Sequence, residues 1–517
     1  MTLIHPRSQE CMVEELDLFS VSPTQNSIVK KTDIEYQPIS SISSSTPVEF
    51  NIPGTEDYIH LPYTQLYVSA RIKHKDGSNL DADEKIGPVN NLLHSLWRQV
   101  DVSFGSTQVS SSTNTYSAES YSKTVLNFGM SAKKSQLQAA MWYGDTSGAF
   151  EDAKVTGRNV GFKSRNALVK ESTEFELVGP LYCDVFMIQK YLLSFVDLKI
   201  KLVPNTAEYF LMSDEGGKEY QIIFTSIKLK VRKVKIANHV IVAHESALSK
   251  VPAVYGVPRS VCKSFTIPGT TPSLVKDNVF NGQIPKRLIV FMNKSTATNG
   301  SYTSNPFNMD LFSISSIGVY VDGEQSPSKP LKLNLTGTNK MYLESFQTLF
   351  TGTGKFHDDA GNLITRDDYH KGYGFFVFDL RPDGCDVSEY LGLRKREVSV
   401  PPSELLPSDF DATETSTFEA WYKPAEICDY RNPIQALALE KVYKVYNFLL
   451  LRECIIFCIS YLPYLTKIND NGMNAIVTCQ DDVVPLNVIM RQVKKAYKAL
   501  ENKDDFAGFR TDESWKS

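Results

Sequence analysis

Motifs of enzymes and metal sites are missing from the sequence. It contains no GxSxG nucleophile elbow and no HExxH zinc motif. None of its 59 acidic residues stands out as one of the two facing carboxylates of a glycoside hydrolase. We therefore predict a protein that is not an enzyme, with no catalytic residue, no cofactor and no metal site.

Close cysteine pairs and a secretory leader are missing as well. Glu10, Glu14, Glu15 and Asp17 occupy the segment where a signal peptide needs an apolar core. The eight cysteines are scattered and form no CxxC motif: Cys11, Cys183, Cys262, Cys385, Cys428, Cys454, Cys458 and Cys479. This pattern indicates buried free thiols in a reducing compartment, and a protein that is not secreted by a signal peptide.

Long hydrophobic runs are scarce. Residues 448–465 form the most apolar stretch, but Arg452, Glu453 and Pro463 interrupt it. The 12 residues that follow the two charges are too few to cross a bilayer. We predict a buried segment there and no membrane span.

An excess of positive charge is also missing, since 55 basic residues face 59 acidic ones. The net charge of −4 argues against a surface built as a whole to hold nucleic acid. In the densest basic stretch, KLKVRKVK (228–235), Lys228, Lys230 and Arg232 line one face of a strand. Lys233 breaks the alternation, which indicates a bulge or the strand's end. A solvated or subunit-facing side is favoured over contact with phosphate.

A glycine-rich segment, TGTGKFHDDAGN (351–362), matches a phosphate-binding loop only in part. The GxxxxGK[ST] motif needs a hydroxyl after the lysine and a glycine at its start, but Phe356 and Leu349 occupy these positions. The next residues, His357, Asp358 and Asp359, are adjacent, and adjacent side chains seldom point at one metal ion. A solvated surface loop is the favoured interpretation.

Strands are indicated by composition and by alternation. The chain has 28 Phe and 25 Tyr, and aromatic residues suit a pleated surface. In TQLYVSARIKH (64–74) and VDLKIKLV (196–203), every second residue is apolar: Leu66, Val68, Ala70 and Ile72, then Val196, Leu198, Ile200 and Leu202. This period of two predicts strands with one buried face. By the same parity, His239 and His244 would face opposite sides of one unbroken strand.

Three segments depart from the strand pattern. Residues 1–45 have neither helical nor strand periodicity and predict an extended arm. Residues 115–127 and 132–143 have helical composition and predict helices inserted in a loop between strands. Their apolar stripe would consist of Leu137, Met141 and Trp142.

A short sequence motif occurs twice in the chain. FNIPGT (50–55) recurs as FTIPGT (265–270), an offset of 215 residues, and we expect both to be turns near the start of a domain in which Gly takes a positive φ. QVDVSFGSTQV (99–109) and SIGVYVDGEQS (316–326) share a strand–turn–strand pattern at an offset of 217. Two features at nearly one offset predict a duplicated β domain, and long excursions between strands favour a jelly roll.

Blocks of sequence in the same order resemble the major capsid proteins of Maverick/Polinton elements and adintoviruses. In the first half they are SQECMVEELDLFSVSPTQNSI (8–28), EFNIPGTEDYIHL (49–61), GPVNNLLHSLWRQVDVSF (87–104), NTYSAESYSKTVLNFG (114–129) and QKYLLSFVDLKIKLV (189–203). In the second half they are SFTIPGT (264–270), GQIPKRLIVFM (282–292), NGSYTSNPFNMDLF (299–312), VYVDGEQSPSKPL (319–331), LFTGTGKFHDDAGN (349–362) and GYGFFVFDLRPD (372–383). The resemblance covers roughly residues 5–385.

The resemblance implies an all-β double jelly-roll capsid protein. Such proteins form homotrimers whose six jelly rolls build a pseudo-hexameric capsomer, and the capsomers tile an icosahedral shell. The implied partners are further copies of the chain, a single jelly-roll minor capsid (penton) protein and, weakly, the packaged DNA. The implied location is the virion, assembled inside the cell in the cytoplasm or the nucleus.

The tail departs from the family. After about residue 386 the family supplies closing strands, whereas residues 398–411 are linker-like and 437–451 and 488–505 are helix-compatible. This leaves open whether the second jelly roll is complete, and it suggests a genome-integrated descendant with an altered end. We expect an arm at 1–45, jelly rolls at 46–250 and 251–390, and a divergent, partly helical region at 391–517. The alternative function is a co-opted β-sandwich module that binds carbohydrate or another ligand.

Overall fold

The computed structural model describes residues 16–19, 21–110, 113–269, 273–280, 284–321 and 323–381, and the backbone of strands 398–400 and 416–423. The apolar stretch 448–465 and the helix-compatible segments 437–451 and 488–505 lie outside these residues, so their predicted structure stays a prediction. Among the described residues, no helix has both the length and the apolar character needed to cross a membrane.

Antiparallel strands dominate both halves of the chain. The first half contains β1 (Ile28–Tyr36), β2 (Val48–Ile52), β3 (Tyr58–Ile59), β4 (Gln65–His74), β5 (Ile86–Pro88), β6 (Trp97–Phe104), β7 (Thr107–Gln108), β8 (Phe175–Pro180), β9 (Leu198–Pro204), β10 (Leu211–Ser213) and β11 (Tyr220–Ile236). The second half contains β12 (Val261–Ile267), β13 (Lys276–Phe280), β14 (Arg287–Lys294), β15 (Ser316–Val321), β16 (Glu324–Lys332), β17 (Phe375–Asp379), β18 (Val398–Val400) and β19 (Ser416–Lys423).

Short helices fill the loops between strands. The α-helices are α1 (Leu92–Ser95), α2 (Tyr116–Asn127), α3 (Met130–Lys133), α4 (Val160–Val169), α5 (Ala207–Phe210), α6 (Asn238–Leu248), α7 (Ser295–Asn299), α8 (Leu343–Thr351) and α9 (Arg366–Tyr369). Single 3-10 turns lie at Leu61–Tyr63, Gln136–Ala140, Lys170–Ser172 and Asp184–Met187. The prediction of inserted helices in an all-β fold is confirmed.

The same sheet topology occurs twice. In the first half, the sheets run β1-β11-β4-β8 and β2-β9-β6-β7, with β3 pairing β11 and β5 pairing β10 outside them. In the second half, they run β12-β19-β14-β17 and β13-β18-β15-β16. If β3, β5 and β10 are set aside, each half has eight main strands, ordered first–eighth–third–sixth in one sheet and second–seventh–fourth–fifth in the other. Two four-stranded sheets with this order form a jelly roll, so the chain is a double jelly roll.

The tail supplies two of these strands. β19 lies between β12 and β14 and pairs with both, and β18 pairs with β13 and β15. They are the eighth and seventh main strands of the second jelly roll. The linker-like interpretation of 398–411 therefore fails for its first three residues, and strand pairing continues past residue 390, where we expected the jelly roll to end.

The two copies of the IPGT motif, which suggested the duplication, occupy different positions in the strand order. FNIPGT ends β2, the second main strand of its jelly roll, whereas FTIPGT ends β12, the first main strand of the other. The hairpins β6–β7 and β15–β16 are the fourth and fifth main strands in both halves. The duplication is therefore supported by the hairpins, and the IPGT echo joins non-equivalent strands.

The alternation of apolar and polar residues correctly predicted the interior strand β4, but it did not predict the edge strand β1. Leu66, Val68, Ala70 and Ile72 of β4 are all fully buried, as the period of two predicts. β1 lies within the segment 1–45 that we expected to be an arm, so this expectation is wrong there. β1 is an edge strand with mostly exposed polar side chains, and such a strand has no apolar periodicity.

The helical insertion agrees with the prediction only in its first part. α2 matches the predicted segment 115–127. The segment 132–143 is not one helix, because the backbone leaves helical geometry at Ser135 and Met141 adopts a left-handed φ of 60°. Its apolar side chains are buried, so tertiary packing overrides helical propensity: Leu137, Met141 and Trp142.

Candidate functional site: the junction of the jelly rolls and the outer surfaces

A buried polar cluster joins the two jelly rolls. Arg165 of α4 donates to the carboxylate of Asp145 at 2.6 Å, and Asn159 Nδ2 donates to the same carboxylate at 2.8 Å. From the second jelly roll, Asn305 Nδ2 lies 3.4 Å from Asp145 Oδ2, and the Tyr373 hydroxyl donates to the Asp145 carbonyl oxygen at 2.8 Å. Because a buried charge needs its partners in place, this cluster fixes the insertion of one jelly roll against loops of the other.

A second buried charge lies where the second jelly roll begins. Lys123 of α2 donates to Asp184 at 3.0 Å and lies 2.6 Å from Glu119. The backbone N–H of Ser260, just before β12, donates to Asp184 at 2.6 Å. Burial opposes the charged amine, but Asp184 and Glu119 raise the pKa of Lys123 overall, so the ion pair persists at neutral pH. Burial raises the pKa of the Glu119 carboxyl.

Aromatic side chains pack across the same junction. The ring of Tyr121 in α2 stacks on Phe307 of the second jelly roll with centroids 4.1 Å apart, and Trp142 lies 5.4 Å from Tyr121. Phe150 meets Tyr373 edge-on at 5.1 Å. One continuous hydrophobic core therefore runs through both halves.

The glycine-rich loop also takes part in the junction. It follows the C-terminal end of α8, with Gly354 at a φ of 75°. A phosphate-binding loop instead precedes the N-terminus of a helix, where the dipole favours an anion. Lys355 donates to the Asn127 carbonyl oxygen at 2.8 Å. The P-loop alternative is thus disfavoured, and the segment is a contact between the jelly rolls.

Lys133 makes a neighbouring contact between the halves. Its amine donates to the carbonyl oxygens of Val125 at 2.8 Å and of Asn362 at 2.7 Å. Burial, and to a lesser extent the positive charge of Lys355, lower the pKa of Lys133 to about 7. This amine is therefore held by backbone carbonyls of both halves.

The histidine and cysteine candidates form no metal site in the part of the chain that the structure describes. No group of three or more His, Cys, Asp or Glu side chains could hold a metal ion there. His239 and His244 lie on helix α6 and not on a strand, and His244 Nδ1 lies 2.9 Å from the Tyr58 hydroxyl. Cys183 and Cys262 are buried, and burial raises the pKa of the Cys183 thiol. Cys454 and Cys458 lie outside the described residues.

The cations of the basic strand form ion pairs with acids of the neighbouring strand β1. Lys228, Lys230 and Arg232 share the outer face of β11, as predicted, and β1 faces them with two acids. Arg232 lies 2.8 Å from Asp33, and Lys228 lies 3.6 Å from Glu35. The hydrogen bond from Arg232 holds the pKa of the Asp33 carboxyl below its usual range. A face whose cations are already paired is a poor phosphate surface.

Lys233 points the other way and holds the first IPGT turn. Its amine donates to the Thr55 hydroxyl at 2.8 Å, and the Gly54 N–H donates to Asp197 Oδ1 at 2.8 Å. Gly54 is not among the glycines with positive φ, which differs from the expectation. A Cβ on Gly54 would lie 2.5 Å from the carbonyl carbon of Phe195, so glycine is needed for close backbone approach.

Two of the exposed apolar sites lie on the arm and on the connector helix. The first is the arm segment LDLFSV (16–21), in which Phe19 is 93% and Val21 is 92% exposed. The second is the outer side of α6, the connector between the jelly rolls, where Val242 is 64% exposed. The sequence signal for α6 is the run VIVA (240–243), since four consecutive apolar residues cannot all face one side of a helix.

The fold defines a double jelly-roll protein. No profile of a known protein family matches the chain. The chain is 23% identical over 366 residues to the uncharacterized protein F54H12.2 of Caenorhabditis elegans, which covers 68% of this chain and 84% of that protein.

Among solved structures, a chain of the Sputnik virophage is similar with a TM-score of 0.53 and 13% identity, over 80% of this chain and 90% of that chain. The mavirus major capsid protein aligns with a TM-score of 0.43 and 14% identity, over 82% of this chain and 92% of that chain. The Sputnik likeness agrees with the double jelly roll found in the sheets.

Proposed function

We propose that the chain is a structural capsid protein that self-associates through its surfaces. The observation that carries this proposal is the twofold repeat of one eight-stranded jelly-roll topology in a single chain. Such a chain presents two similar jelly rolls side by side, so three copies can present six. The fold shared with a virophage chain supports the same conclusion.

In this proposal the protein is a homotrimer that forms pseudo-hexameric capsomers of an icosahedral shell. The jelly rolls are the domains, with β1–β11 in the first and β12–β19 in the second. The buried clusters around Asp145 and Lys123 support this role, because Asp145 and Asp184 in these clusters also bind residues of the second half. A rigid pair is required if capsomers are to tile.

The same proposal includes the type of capsid protein, its partners and its location. The chain is a Maverick/Polinton or adintovirus-type capsid protein, or a genome-integrated descendant, and it has no enzymatic activity. Its further partners are a single jelly-roll minor capsid protein and packaged DNA, and its location is a virion assembled in the cytoplasm or the nucleus. The cations on the outer face of β11 already form ion pairs, which disfavours this face as the surface that contacts DNA.

Light scattering coupled to size-exclusion chromatography tests the proposal. The purified full chain is expected to elute with a mass three times that of the 58.1 kDa monomer. A protein that stays monomeric at all concentrations would contradict self-association. Glycan binding by such a monomer, measured by calorimetry, would favour the alternative of a carbohydrate-binding module.

A further inference from the structure

Two lysines with like charge face each other where β1 begins and β11 ends. Lys30 lies directly opposite Lys235 in the antiparallel register of these strands, and both side chains are exposed. Like charges in directly opposed positions destabilise a sheet. The ion pairs of the described residues include neither lysine. We call these two residues the lysine pair, and their repulsion is uncompensated within one copy.

The cations of β11 that precede the lysine pair are compensated. Arg232, Lys230 and Lys228 point to the outer face and form ion pairs with acids of β1 at 2.8, 3.9 and 3.6 Å. Because alternate residues of a strand point to opposite faces, Lys235 lies on the other side of the sheet. An anion that binds the lysine pair therefore does not have to break these ion pairs.

Further positive charge lies beside the lysine pair. The Lys233 amine, on the same side of β11, donates to the neutral Thr55 hydroxyl at 2.8 Å. Lys31, the next residue of β1 after the pair, is exposed. Burial lowers the pKa of the His60 imidazole, and the positive charges of Lys31 and Arg232 lower it further. The charges that act on His60 at this end of the strands are therefore positive.

The acids of the adjoining elements leave the lysine pair free. Glu56 and Asp57 precede β3, which pairs with β11, and Glu245 lies on α6, which follows β11. Among the described residues, none of these carboxylates forms an ion pair with Lys30 or Lys235. The two amines are thus available to an anion from another molecule.

The phosphate backbone of a nucleic acid fits such a pair. Side chains at directly opposed positions start about 5 Å apart at their Cβ atoms, so two flexible lysines can bind one phosphate group. A phosphate between the amines replaces their repulsion by two attractive contacts. Lysine amines bind phosphate oxygens whatever the neighbouring base, so the contact carries no sequence specificity.

We propose that Lys30 and Lys235 bind the phosphate backbone of double-stranded DNA. This inference rests on the proposed capsid function and deepens it, because it gives the contact with packaged DNA a place on the first jelly roll. The ion pairs on the outer face of β11 stay intact in such a complex.

DNA-binding titrations of the full-length protein test the lysine pair. The probe is a fluorescein-labelled duplex of mixed sequence, and its anisotropy is followed over a range of salt concentrations. The double variant Lys30→Gln/Lys235→Gln is expected to bind at least about tenfold more weakly than the wild type. The slope of log K against log salt should fall by about 1 for each lysine. The matched control, Lys228→Gln/Lys230→Gln, removes the same charge from the paired outer face and is expected to keep the wild-type affinity.

Thermal unfolding separates a lost contact from misfolding. Because Lys30→Gln/Lys235→Gln removes a repulsion, its melting temperature should equal or exceed that of the wild type. An equal loss of DNA affinity in both double variants would show a response to net charge alone and would overturn the inference. A wild type that binds anionic lipid vesicles and no DNA would assign the lysine pair to a membrane surface and would overturn it as well.

Light scattering on the same preparation separates this inference from the proposed function. An assembled wild type that binds no DNA at low salt would overturn the inference and leave the capsid function standing. A monomer that binds DNA through the lysine pair would confirm the phosphate contact and contradict the capsid function.

Discussion

The guanidinium of Arg165 lies 2.6 Å from the carboxylate of Asp145, and both side chains are fully buried. This pair is central to the contact between the jelly rolls, because Asn305 and Tyr373 of the second half bind the same aspartate. Removal of one partner leaves a charge in the interior without compensation, and that costs more than the pair itself contributes.

We expect Arg165→Met to lower the free energy of unfolding by about 3–5 kcal/mol. Chemical denaturation monitored by tryptophan fluorescence measures this loss. Lys201→Met removes the half-exposed pair with Glu49 and serves as control, since solvent-exposed pairs contribute little. Equal effects of the two substitutions would refute the role assigned to the buried pair.

We expect the buried His94 to make the free energy of unfolding depend on pH in the acidic range. Burial lowers the pKa of His94 to about 3, so in acid the unfolded chain binds a proton that the folded chain does not. Because of His94, the free energy of unfolding should therefore fall as pH drops below about 6.5, by at most about 1.4 kcal/mol per pH unit.

In denaturation experiments between about pH 7 and about pH 4, the wild type should lose more stability than His94→Gln. The advantage of the wild type over the variant is expected to shrink steadily with acidification. A difference that stays constant over this range would contradict a neutral, buried His94.

The turn at Gly54 is predicted to tolerate no side chain. Gly54→Ala places a Cβ 2.5 Å from the Phe195 carbonyl carbon, and overpacking of this kind costs about 1–3 kcal/mol. Gly216→Ala is the matched control, since no atom lies within 4 Å of its Cβ. Thermal unfolding should show a lower midpoint for the first variant only, and equal midpoints would argue against the close approach.

The tail is predicted to be part of the second jelly roll. A chain ending at residue 381 lacks β18 and β19, so β12 and β14 lose the strand between them and expose backbone edges that promote aggregation. A chain ending at residue 423 keeps both strands. We expect the shorter chain to be insoluble or to unfold at a lower temperature. Equal solubility and melting of the two would contradict the placement of β19.

Sequence reasoning succeeded where burial is one-sided. β4 and β9 alternate apolar and polar residues because one face of each lies on the core, and α2 has a helical composition that its surroundings do not override. Most side chains of β1 are exposed and polar, so the sequence shows no apolar periodicity there. β18 lies in the segment 398–411, whose composition resembles a linker, and β19 lies in the region 391–517 that we expected to diverge from the family.

The contacts between the jelly rolls were not predictable. Asp145 binds Arg165 in the first jelly roll and Asn305 in the second, but nothing in the sequence distinguishes it from the other acidic residues. Lys355 was noticed as part of a glycine-rich motif, but its partner, the carbonyl oxygen of Asn127, is a backbone atom 228 residues away. Such contacts form between loops that are distant in the sequence and come together only in the folded chain.

Negative-stain electron microscopy of the purified full-length protein tests the central claim most directly. If three double jelly rolls associate as proposed, class averages will show a pseudo-hexagonal outline with six lobes around a centre, one for each jelly roll. Images that show only particles with two lobes, the size of one chain, would contradict a capsomer-forming capsid protein.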